Sequence, residues 1–159
     1  MKKTLYLLAA AAVLLLTRVE HTGTDISDLE PVALVSVTME ENTVRIATDT
    51  GAEGTGGNLS EAVGNLHATA PATVFLDTAQ YLLLNEETIP LLPQLYDLLR
   101  PGTRVCILSG KAALEEAAVF LKAHPPETTL LHCRAGQNQL PILYYNEGRG
   151  RLEQGNHQP

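Results

Sequence analysis

The residues best suited to chemistry in this sequence are two cysteines. His132-Cys133-Arg134-Ala135-Gly136 has the HC-x-x-G order that opens a phosphoryl-transfer loop, in which a thiolate attacks phosphorus and an Arg six positions after the Cys grips the oxygens. Position 139 is Gln. A neutral amide cannot supply the bidentate, charge-assisted contact that phosphoryl transfer wants, and Pro141 opposes the helix whose N-terminus would lower the thiol pKa. The tetrapeptide Cys-Arg-Ala-Gly would also suit sulfur transfer, yet residues 134–159 read as strand and turn, with no helix to complete such a loop.

Cys106 opens a second near miss. Cys106 to Leu121 has the strand, loop and Ala-rich helix order of a sulfurtransferase fold, but Ile107 takes the nucleophile's place relative to Gly110. An enzyme of sulfur or phosphoryl transfer, using Cys133 or Cys106, is therefore the alternative reading rather than the leading one. In an oxidising compartment the pair Cys106 and Cys133 could form a disulfide, and two buried, unpaired thiols are the other outcome; sequence separation does not choose between them.

The other motifs carry less. Residues 51–58 (GAEGTGGN) hold four glycines before a helix pattern, the setting of a phosphate-binding turn. A Walker loop would need Gly-Lys-Ser/Thr where Gly56-Gly57-Asn58 stands, and the dinucleotide spacing fails after Gly54 and Gly56. The segment is expected to be a flexible connection that uses positive φ angles. The five His show no HxxxH spacing and the Cys no CxxC, so no metal, cofactor or catalytic residue is expected.

These residues sit on a chain of 159, the length of one ordinary domain. A net charge of −7 without clustered Lys and Arg excludes a nucleic-acid binder as the leading reading. Lys2 and Lys3 precede an uncharged run closed by Arg18, so residues 1–18 read as a signal peptide or signal anchor. Its apolar heart, Leu5 to Leu16, is short for a membrane span. Thr17-Arg18-Val19-Glu20 offers neither a small-x-small cleavage site nor a Cys for a lipid, which leaves open both a cleaved signal and a segment that stays on as an anchor. Residues 19–30 are expected to be an extended linker, 31–146 a single α/β domain, and 147–159 a polar tail.

Within the domain, Val32 to Val37 and the alternating Thr43 to Thr48 read as a hairpin turning at Glu40-Glu41-Asn42. Asn58 and Glu61 form a capping-box pattern for a helix over about 59–69. A strand lies within Val74 to Leu84, a helix is marked by Ile89, Leu92, Tyr96 and Leu99, and Arg104 to Leu108 is a short strand. Lys111 to Ala123 reads as a helix, Thr128 to Cys133 as a strand and Ile142 to Tyr145 as a weaker one. The predicted fold class is α+β (mixed α/β): a mixed β-sheet with an N-terminal hairpin, β-α-β-α-β crossovers between about 80 and 133, and helices packed on the sheet.

In this order the chain resembles the N-terminal domain of the GerAC-like (Ger(x)C) spore germinant-receptor C subunits, membrane lipoproteins of spore-forming bacteria. Asp25-Ile26-Ser27-Asp28-Leu29, GTGGNLSEAVGNL at 54–66, and Phe75-Leu76 through Leu82-Leu83-Leu84-Asn85-Glu86-Glu87 carry the likeness. Leu95 to Arg100, Arg104 to Leu108, Leu140-Pro141-Ile142 and Gly148 to Gly155 extend it over roughly residues 25–155. Three features depart from the family: Arg18-Val19-Glu20 stands near the lipid-bearing Cys position, Thr78 stands where a His is expected, and the family's later domains have no counterpart in the 159 residues. The resemblance implies a non-enzymatic, extracytoplasmic protein that takes part in spore germination. Its partners would be membrane protein subunits of a nutrient germinant receptor, with the membrane reached through the N-terminal segment. A generic exported binding domain is the third reading.

Overall fold

The computed structural model describes residues 29–137, 139–146 and 149–154; the signal or anchor segment and most of the linker lie outside them. Nine strands are present among these residues: β1 (Leu29–Pro31), β2 (Leu34–Glu40), β3 (Thr43–Thr48), β4 (Glu53–Gly56), β5 (Thr73–Phe75), β6 (Tyr81–Leu84), β7 (Arg104–Gly110), β8 (Ile142–Asn146) and β9 (Arg149–Glu153). The helices are α1 (Leu59–Thr69), α2 (Leu92–Leu95), α3 (Leu114–Ala123) and α4 (Leu130–Arg134), with 3-10 turns at Leu76–Thr78 and Glu86–Leu91. One seven-stranded sheet runs β4-β3-β2-β6-β7-β8-β9, and β1 pairs β5 in a small parallel sheet beside it. The fold is the mixed α/β sheet expected.

Its centre, β2-β6-β7-β8, is parallel, and antiparallel pairs flank it on both sides. The β2–β3 hairpin closes on Glu41 and Asn42, whose φ angles of 50° and 66° define the two-residue turn that matches strand twist. Because strand residues alternate between faces, the sheet divides the core in two. Val35, Val37, Leu82, Leu84 and Val105 face one side, where α1, α2 and α4 bury Leu59, Leu66, Leu95 and Leu130. Leu34, Tyr81, Leu83, Cys106 and Leu143 face the other, which α3 covers with Ala117 and Leu121.

Buried threonines fix the strand ends. The Thr88 hydroxyl bonds the Asn85 carbonyl at 2.9 Å, and the Thr103 hydroxyl donates to the Ala79 carbonyl at 2.8 Å. Asn85 extends the β2–β6 ladder past the end of β6: its Oδ1 accepts from Met39 N–H at 3.2 Å and its Nδ2 donates to the Met39 carbonyl at 2.9 Å. Thr78 accepts from Val32 N–H at 3.0 Å and donates to the Phe75 carbonyl at 2.7 Å. The hydroxyl thus ties β5 to the link between β1 and β2.

Four local expectations are corrected. Residues 53–56, read as flexible connection, form edge strand β4, because α1 packs directly upon it. Residues 128–133 are mostly helix: the Thr129 hydroxyl accepts from His132 N–H and His132 Nδ1 accepts from Thr129 N–H, a reciprocal cap that starts α4. The Leu130 and Leu131 N–H groups bond Thr103 and Pro101 carbonyls, so the segment gives β7 only the isolated Arg104–Thr129 bridge. The third parallel strand of the crossover series is therefore β8 at 142–146, not 128–133. Within the expected tail, residues 149–153 are strand β9, held antiparallel to β8 over five residue pairs. The helix marked by Ile89 to Leu99 shortens to α2 behind the turn carrying Pro90, whereas the strand read within Val74 to Leu84, strongest at Tyr81–Leu84, is β6, with the short β5 and a 3-10 turn before it.

Candidate functional site

A reactive thiol needs exposure and a depressed pKa. Cys106 lies in the interior of β7 and is fully buried; desolvation pushes its pKa up to about 12. Cys133 sits inside the five-residue α4, at 9% exposure, and burial raises its pKa against a smaller lowering by a backbone hydrogen bond. The phosphoryl-transfer loop that the motif suggested places its Cys between a strand and the N-terminus of a following helix, whereas this Cys is the fourth residue of a helix. Its neighbours are engaged elsewhere: His132 caps α4, and Arg134 lies over the Tyr96 ring at 5.9 Å from the centroid. Gln139 is exposed.

Both thiols are free. Cys106 packs in the cluster under α3, and Cys133 in the cluster on the opposite face of the sheet. A bond between them would have to cross the sheet, so the structure gives the thiols separate packing roles.

The glycine segment is also a packing device. A Cβ on Gly54 would lie 2.2 Å from the Ala62 carbonyl oxygen and 2.3 Å from the Leu66 nitrogen; one on Gly56 would lie 2.7 Å from the Ala62 nitrogen. Neither glycine has positive φ; within the segment that conformation belongs to Gly51, at 91°. The capping pattern at Asn58 is present, with Glu61 N–H donating to Asn58 Oδ1 at 2.9 Å, while the Glu61 carboxylate accepts from Gly57 N–H at 2.9 Å. The helix N-terminus is thereby occupied by its own side chains.

What remains is surface. All four parallel strands end on one rim, the position at which open α/β sheets carry their crevices. Two open concavities of about 840 Å³ each lie there. One, at the ends of β2 and β6, is lined by Glu40, Glu41 and Glu87, with Arg45 held by Glu53. The other, at the ends of β7 and β8, is lined by Lys111, Arg149 and Arg151, the last paired with Glu153 at 2.7 Å. Tyr145, at its floor, is buried and donates to Glu116 at 3.0 Å; desolvation and that carboxylate raise its pKa. The described residues lining these hollows include no Cys or His, and their chemistry is that of polar, charge-bearing contact.

The motif reading located both cysteines and missed this rim. Its signal lies in topology: once β2, β6, β7 and β8 are known to be parallel, Glu40, Glu86, Glu87, Lys111 and Arg149 must gather at one end. Searches with the sequence and the fold find no matching protein-family model, no matching curated protein and no matching solved structure.

Proposed function

We propose that this protein is a non-enzymatic, membrane-attached subunit similar to the germinant-receptor C subunits, acting through protein contacts on the extracytoplasmic side during spore germination. The observation that carries the non-enzymatic part is the state of the two thiols, since burial raises both pKa values and thereby opposes thiolate formation. The receptor part rests on the ordered likeness over roughly residues 25–155 and on the charged leader of residues 1–18. Charged concavities at the sheet rim are suited to recognising complementary surfaces of partner subunits, where such charges set specificity and encounter rate.

The test is an assay of the purified chain with thiosulfate and with an aryl phosphate, run beside Cys106→Ala and Cys133→Ser variants. The reading expects no turnover beyond the buffer rate. Turnover abolished by either substitution with the fold preserved would replace it with a sulfur- or phosphoryl-transfer enzyme.

A further inference from the structure

The two edges of the large sheet are finished differently. At β4 the edge is covered by α1: Asn65 Nδ2 donates to the Thr55 carbonyl at 2.7 Å, and the Thr69 hydroxyl shares its proton between the Asn65 carbonyl at 2.8 Å and the Glu53 carbonyl at 3.0 Å. At β9 no described element lies beyond the strand, and among the described residues nothing bonds its outer backbone groups, which are suited to pairing with a further strand. Charged side chains are a common guard on such an edge, and Arg149, Arg151 and Glu153 occupy one face of β9. Their order is plus, plus, minus. Read in the opposite direction it is minus, plus, plus, so the ends of the guard are complementary to a second copy of itself.

We infer that β9 is a self-association edge, at which two copies of this chain pair antiparallel about a two-fold axis through Arg151 and join their sheets into one. The full five-residue overlap places Arg149 opposite the partner's Glu153, twice by symmetry, and Arg151 opposite itself. Glu153, which each Arg151 already holds within its own chain at 2.7 Å, then stands between that Arg151 and the partner's Arg149, so one carboxylate serves both and offsets the like-charge contact at the axis. The opposite face of the strand, Gly150 and Leu152, packs toward α3: a Cβ on Gly150 would meet the Phe120 ring at 2.6 Å. A one-residue slip would turn the charged face inward, which fixes the parity of the register. The occupant is a second copy because the charge order is self-complementary; pairing of this kind needs no other polypeptide.

Site-directed crosslinking in membranes of cells making the full chain tests this. Arg151→Cys places a thiol at the one position opposed to itself, while Cys106 and Cys133 are buried and do not compete. Under mild oxidation this variant is expected to give a strong band at twice the 17.1 kDa chain mass, with Arg149→Cys or Glu153→Cys alone giving about tenfold less. In the Arg151→Cys background, Arg149→Glu sets like charges opposite each other and should cut the yield about tenfold, and adding Glu153→Arg should restore it. No band from Arg151→Cys, equal yields at the three positions, or a yield unmoved by Arg149→Glu would each overturn the inference.

Discussion

The β4 edge and the β9 edge close the same sheet by opposite means. At β4 the helix that follows is laid on the strand so closely that two positions must be glycine, and its Asn65 amide bonds a strand carbonyl while Thr69 shares its hydroxyl with another. At β9 the strand carries arginines and a glutamate and has no covering element among the described residues. A sealed edge demands particular small residues and leaves no room for a partner. An edge defended by charge leaves the backbone available to whatever neutralises that charge.

The contrast is easiest to break at its glycines. Gly54→Ala drives a methyl into helix backbone, which cannot move without displacing α1, so a loss of about 3 kcal/mol is expected in chemical unfolding. For Gly150→Ala the nearest atoms belong to the Phe120 side chain, which must shift as a whole but is not backbone, and about 1 kcal/mol is expected. Equal costs would mean that the two edges are packed alike.

A pH titration asks whether the open edge leaves a wet interior behind it. Cys106 belongs to the cluster that also receives β8, Leu152 and Phe120. Its folded pKa, raised from 9.0 to about 12, means the native state keeps the proton that the unfolded chain gives up. The stabilisation is fully present below pH 9 and is lost as pH climbs from there toward about 12. At pH 10 wild type should have lost about 1.4 kcal/mol relative to pH 8 that Cys106→Ala does not lose. Parallel stability curves for the two proteins would show that water reaches this side of the sheet.

The smallest effect belongs to the edge seal. Asn65→Ala removes the hydrogen bond to the exposed Thr55 carbonyl, and Thr69→Val removes a hydroxyl shared between the Glu53 and Asn65 carbonyls, with about 1 kcal/mol or less expected for each by thermal unfolding. Faster amide hydrogen exchange at residues 53–56 should accompany it.

The hairpin, α1, β7 and α3 were legible because each has a full period of pattern and a stop signal. Asn58 with Glu61 marked the start of α1, and Pro71 marked its end. The stretch at 128–133 was not legible, since a short apolar run of Leu130, Leu131 and Cys133 fits a strand or a helix equally well. What settled it was the capping by Thr129 and His132 and the capture of N–H groups by Pro101 and Thr103, residues distant in sequence. The glycine segment misled for a related reason, because close approach of a helix and a need for positive φ both select glycine. In the fold His132, Cys133 and Arg134 each have a contact of their own, a cap, a core and a ring, which the motif could not show.

The central claim is that this protein works by shape and charge rather than through a sulfur atom. It is tested most directly by deleting its gene in the host and complementing with the wild-type chain or with a Cys106→Ala, Cys133→Ser double variant shown to be folded. The expected result is that spores lacking the gene respond poorly to nutrients and that both chains restore the response. A response unchanged by the deletion, or one restored by the wild type and not by the folded double variant, would contradict the account.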